Sequence, residues 1–203
     1  MGTAATLSAI LGLAVAAGVN LYLAVLTIGL SLRLGWLSGV PGDLEILAHP
    51  VVLIAAGVLY VADFIADKVP FFTPIWDTIH TVIRPVGAAF LAMSAAARLD
   101  PVMQTVAVLA AGSIALGTHS TKMAVRLSAH AVPEPVTHSV ISIAEDVGVV
   151  ALLALAYTHP WVAIPVIAGV ILAIGLTLYW IGRKVWRFFF DRKPDAPQTA
   201  VVR

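Results

Sequence analysis

The sequence predicts an all-α, polytopic membrane bundle of about six transmembrane helices. Composition is the first reason. Hydrophobic residues make up 60% of the 203, and charged residues only 11%, where soluble domains carry about 25%. Mean hydropathy is +0.97. Continuity is the second. The apolar runs approach or exceed the roughly 20 residues a membrane helix needs, without the alternation over about 10 residues that marks a barrel strand. Punctuation is the third, because Gly, Pro and charged residues collect between the runs. The net charge of +1, with no basic stripe carrying interleaved aromatics, argues against a nucleic-acid partner. With no cysteine, disulfides, thiolate chemistry and cysteine metal sites are excluded.

Span 1 is expected over Ala5 to Leu32. Its start lacks the positive region of a secretory signal and its apolar run is too long for one, so it reads as a retained span. It is over-long, and Gly18-Val19-Asn20 offers a place to break. Glycines 12, 18, 29 and 35 read as packing positions. A Gly- and Pro-rich loop with Asp43 and Glu45 leads to span 2, His49 to Asp67, opened by Pro50 in its first turn. The turn VPFFTP precedes span 3, Ile75 to Ala97, which Pro85 should kink. Span 4 runs from Val102 to Ala129, with a second candidate interruption at Gly117-Thr118-His119-Ser120. Span 5 covers His138 to Tyr157 and span 6 Trp161 to Gly182. One transmembrane domain over 1–187 results. The basic, aromatic segment after Gly182 is interfacial, and 188–203 reads as a disordered cytoplasmic tail.

Lys and Arg set the orientation. Arg183, Lys184, Arg187, Arg192 and Lys193 place the C-terminal end in the cytoplasm, and six spans then place the N-terminal end there too. Lys68, Arg84, Lys122 and Arg126 fall near inner span ends, whereas the outer side holds Arg33 and Arg98. The predicted location is the cytoplasmic membrane.

The chain also admits an inverted 3+3 repeat, with halves at 5–98 and 102–182. Ala16 and Gly18 align with Ala115 and Gly117, and HPVVLIAAGVLYV at His49 aligns with HSVISIAEDVGVV at His138. Inverted repeats mark many secondary transporters, whose sites lie near broken helices at the repeat interface. Asn20 and His119 fall two residues after the aligned glycines, which makes them candidates for a central site.

The remaining polar residues form helix-face stripes at spacings of three and four. Asp63 and Asp67 end span 2, and Asp77, His80 and Arg84 open span 3. His119, Lys122 and Arg126 close span 4, and His138, Ser142 and Glu145, with Asp146 adjacent, open span 5. The topology brings these stripes together in the inner half of the bundle. There five carboxylates meet four cations, Lys68 included.

Four of these segments resemble a known family. ADKVP, WDTIHTVIRPVGA, GTHSTKMAVRLS and HSVISIAEDV, in this order and spacing, are similar to the bacterial membrane family called domain of unknown function 4126. AAGVNLYLAVLTIGLSLRLGW resembles that family's opening helix. The likeness covers nearly the whole chain up to the basic tail. One position differs: the family places Asn-Pro ahead of its Val-x-Ser and Glu-Asp pattern, and here Thr-His-Ser stands around His138. The resemblance implies a multi-span membrane protein and brings no activity with it.

Ionisable groups at membrane depth are costly and mark a functional site by default. The leading expectation is a secondary transporter or channel-like permease for a small ion or solute. Its binding candidates are Asn20, Asp63, Asp67, Asp77, His80, Arg84, His119, Lys122, Arg126, Ser142, Glu145 and Asp146. Glu145 and Asp67 are the candidate carriers, with His80 or His119 sharing protons. No catalytic residue, metal or cofactor is assigned. The alternatives are an enzyme on a lipid-linked substrate, using Asp77, His80 and Glu145 as acid–base groups, and a structural or assembly subunit. In the structural case Asp77–Arg84 and Lys122–Glu145 would simply neutralise one another. Expected partners are membrane lipids and a second copy of the chain, for which small-residue faces such as Ala88, Ala92 and Ala96 are available, with no surface singled out.

Overall fold

The computed structural model describes residues 2–66, 73–129 and 135–190, leaving aside the side chains of 127–129 and 135–138. Asp67 and Lys68 lie outside the described residues, as does the His138 side chain. Six helices follow one another, with a short 3-10 helix at Leu44–Ala48: α1 (Thr3–Arg33), α2 (Pro50–Ala66), α3 (Thr73–Ala95), α4 (Pro101–Ala129), α5 (Pro135–Thr158) and α6 (Pro160–Phe190). Helix α6 thus continues past Gly182 and three residues beyond the boundary expected for a tail.

Proline explains most of the starts. Pro50, Pro101, Pro135 and Pro160 each occupy the first helical position, where the missing N–H costs nothing and φ is already suitable. Asp100 strengthens one of them, its Oδ1 accepting from the Val102 and Met103 amides at 3.0 and 3.1 Å. Helix α3 continues through Pro85. The loop after α1 turns at Gly35, Gly39 and Gly42, all at positive φ. At Gly42 the chain presses onto Ser94 and Ala95, and the Asp43 amide donates to the Ser94 carbonyl at 2.8 Å.

Helix α1 is the centre and touches each of the other five. Its Ala9, Leu13, Ala14, Ala16 and Ala17 share one buried core with Leu91 and Ala92 of α3, Ala115 of α4, Leu153 of α5 and Ile167 of α6. Ala88, Ala92 and Ala96 are wholly buried in this core. These three alanines, one example of a small-residue face, pack within the chain's own core.

Helix α1 is broken where expected. Asn20 has φ −152° and ψ 98°, an extended residue between two helical arms. Helix α4 differs, running unbroken through Gly117–Ser120. The reason is local. Thr118, Ser120 and Thr121 hydroxyls donate to the carbonyls of Ile114, Leu116 and Gly117 at 2.8 to 3.0 Å, so the polar run is satisfied inside the helix. Of the two spans aligned as a repeat, only α1 is interrupted.

The surface is apolar, and polar side chains are held inside. Val51, Ile54, Val58 and Ile65 of α2, Val102 and Leu109 of α4, Val140 and Val147 of α5, and Leu172 and Leu176 of α6 all face outward. Asp63, Arg84 and His119 are 0% exposed. Among the described residues, four helices, α1, α4, α5 and α6, are long and apolar enough to cross a membrane. Apolar outside and polar inside is the pattern that lipid imposes, and the chain is a membrane protein.

Candidate functional site

The site is built around the break in α1. A helix end inside a membrane leaves backbone groups that must find partners. On the second arm, the Asn20 side chain supplies one: its Oδ1 accepts from the Leu23 amide at 3.1 Å, an N-cap. Asn20 Nδ2 donates to Asp146 Oδ1 at 3.0 Å, and Tyr60 Oη donates to Asp146 Oδ2 at 2.9 Å. At the end of the first arm, Arg84 Nη1 donates to the Val19 carbonyl at 2.7 Å and, more weakly, to Gly18 at 3.4 Å. Lys122 Nζ donates to the same Val19 oxygen at 2.9 Å. Two cations thus meet the negative end of one half-helix, and a carboxylate lies at the positive end of the other, as helix dipoles favour.

Arg84 of α3 is the hub. Its Nη2 reaches both oxygens of Asp63 of α2, at 3.1 and 3.3 Å, and its Nη1 donates to His119 Nδ1 of α4 at 3.1 Å. Trp76 Nε1 donates to Asp63 at 2.7 Å. A guanidinium can only donate, so His119 Nδ1 accepts and its Nε2–H donates to the Asp77 carbonyl at 3.0 Å. His80 takes the opposite tautomer. Its Nδ1–H donates to the Trp76 carbonyl at 2.8 Å, and its Nε2 accepts from Tyr22 Oη at 3.1 Å.

A second group lies between α4 and α5. Glu145 Oε2 is 3.0 Å from both Lys122 Nζ and Arg126 Nη2. Arg126 Nη1 is 3.9 Å from Asp77 Oδ1. Ser142 is buried one helical turn before Asp146. Asp146 itself is only partly buried, and its two hydrogen bonds come from neutral donors.

The structure therefore gathers the expected residues and changes several pairings. Asp63, Asp77, His80, Arg84, His119, Lys122, Arg126, Glu145, Asp146 and Asn20 form one connected set with the backbone of α1. The expected Lys122–Glu145 pair is present. Asp77–Arg84 is not: Arg84 points across to Asp63, because Asp77 shares its own helix and lies nearer Arg126. Asn20 and His119 are not joined directly. Arg84 links them, holding the Val19 carbonyl and the His119 ring. Tyr22, Tyr60 and Trp76 were absent from the sequence-based set. Each is an aromatic with a polar tip inside an apolar run, and such a tip seeks a partner when buried.

No curated protein and no solved structure matches the chain. A family model does match, over residues 7–180. Its description is Domain of unknown function (DUF4126), and the matched stretch takes in the break in α1 and every described member of the polar set. By that match the chain belongs to the DUF4126 family.

Proposed function

We propose that the protein is a secondary transporter or channel-like permease of the cytoplasmic membrane, moving a small ion or polar solute past the break in α1. One observation carries the reading: a helix interrupted within an apolar bundle, with seven charged side chains from α2, α3, α4 and α5 around the interruption. Broken helices with ionisable partners are how many transporters build their sites. The basic end of α6, with Arg183, Lys184 and Arg187, faces the cytoplasm by the charge rule.

Within the set, Asp146 is the carrier carboxylate. Glu145 is clamped by two cations and Asp63 by Arg84, so both are engaged in holding helices together. Asp146 is reached from outside the core and is held only by an amide and a phenol, so a proton or cation can bind it without breaking an ion pair.

The test is flux of protons, alkali cations and small anions in liposomes containing the purified protein. Flux above empty liposomes, lost in Asp146→Asn with unchanged thermal stability, is the expected result. A protein without flux for any of these, in which Asp146→Asn also lowers stability sharply, would instead be a structural subunit.

A further inference from the structure

The two arms of α1 run in opposite directions and open toward the same end of the bundle. The other five helices define two ends of the bundle. Helices α3 and α4 are antiparallel, with Pro85 and Ala89 beside Gly112 and the Asp77 carbonyl on His119. The end of α2 meets the start of α3, where Thr73 Oγ1 donates to the Ala66 carbonyl at 2.8 Å. The last turns of α4 meet the first half of α5 at Arg126–Glu145. One end, the head, therefore holds the starts of α2, α4 and α6 and the ends of α3 and α5. The base holds their opposite termini.

The first arm of α1 begins at the head. Ser8 Oγ donates to the Ala156 carbonyl at 2.9 Å, two residues from the end of α5. Gly12 abuts Ala156 and Ile167, the latter in the second turn of α6. By Gly18 the arm has reached Ala115 and Thr118, midway along α4, and at Asn20 it meets Asp146. The second arm then returns. Leu21 and Tyr22 lie on Gly87 and His80, and Gly29 lies on Leu47 of the 3-10 helix and on Leu53 at the start of α2. The loop that follows is tied to Ser94, at the end of α3.

We infer that α1 does not cross the membrane. It enters from the head, turns at Asn20 and leaves by the head, a re-entrant V with the polar set at its apex. Length and composition taken alone would choose α1 and not α2 or α3, but each arm of α1 is only about half of its 31 residues, short of the roughly 20 that a span needs. Five helices then cross, α2 to α6, and the start of α1 lies on the opposite side from the end of α6. The two half-helix ends can sit at that depth because Arg84, Lys122 and Asn20 cap them. The charge rule has no voice on this point, since no Lys or Arg precedes Arg33.

The absence of native cysteine makes the test direct. Thr3→Cys, Ser38→Cys and Phe190→Cys are made singly, and a membrane-impermeant maleimide is applied to right-side-out and inverted vesicles. Full labelling in detergent verifies that each thiol is reactive. Thr3→Cys and Ser38→Cys labelling from one side, and Phe190→Cys from the other, is the expected result. Thr3→Cys labelling with Phe190→Cys, opposite Ser38→Cys, is what a through-going α1 requires and would overturn the inference.

Discussion

Arg84 shows how a fully buried cation is tolerated in this protein. Its two terminal nitrogens serve a carboxylate, an imidazole and two backbone carbonyls. Removing one partner of a buried pair is costly because the other charge is stranded, whereas replacing both by apolar groups can come close to neutral. Arg84→Met is therefore expected to destabilise by about 3–5 kcal/mol. Asp63→Leu combined with Arg84→Met should recover part of that loss. Denaturant titration in detergent checks both, and equal losses in single and double variants would mean that Asp63 is not Arg84's main partner. Asp146→Asn belongs to the same scale with the opposite outcome. Asn is nearly isosteric and its oxygen still accepts from Tyr60 or Asn20. Its melting temperature should stay within about 4 °C of the parent, the shift that roughly 1 kcal/mol gives in a chain of this size, while any flux is lost.

Two close features of α1, the Gly18 crossing and the Asn20 cap, set the element scale. A Cβ on Gly18 would stand 2.6 Å from the Ala115 carbonyl oxygen and from Thr118 Cβ. Backbone cannot swing aside, so Gly18→Ala should cost about 1–3 kcal/mol, the usual range for overpacking. Gly57 in α2 has nothing within 4 Å of the same position. Gly57→Ala should be neutral or stabilise by up to about 1 kcal/mol, since Ala is the better helix former. Thermal melts of the two variants side by side separate crossing from propensity. If Gly18→Ala melts with the parent, α1 and α4 are not in contact there. Asn20→Ala removes the cap and should cost about 1 kcal/mol. Asn20→Asp keeps the cap but sets a second carboxylate against Asp146, so it should be the more pH-sensitive of the pair.

The whole molecule was legible in parts that depend on local signals. Helix boundaries lay close to the apolar runs and their prolines, as at Pro50 and Pro160, because both act within a turn or two. Residue convergence was also legible, since polar groups in lipid must face inward. Partner choice was not: Asp63 and Arg84 lie on different helices, and only the packing of α2 against α3 brings them together. Nor was α4's continuity, because hydroxyls that can break a helix can also satisfy it from within. The direction of α1 was hidden for a further reason, the lack of any Lys or Arg before Arg33 to orient its first arm. Bilayer placement can be read from tryptophans. Trp36 and Trp161 are exposed at the head, and Trp180 and Trp186 are exposed toward the base. Along α6, Trp161 lies roughly 30–40 Å from the other two at 1.5 Å per residue, which brackets a hydrocarbon core of about 30 Å. These are two aromatic belts, which favour the membrane–water boundary. Variants keeping one Trp and replacing the others by Phe should then show stronger quenching by a headgroup-level spin label than by one deep in the acyl chains, for all four positions. Lys184 over the Trp180 ring, 3.7 Å from its centroid, fixes that ring near charge and sharpens the case at the base. Deeper quenching at Trp180 than at Trp161 would mean that the bilayer is shifted along α6, and that the basic end lies within it rather than at its edge.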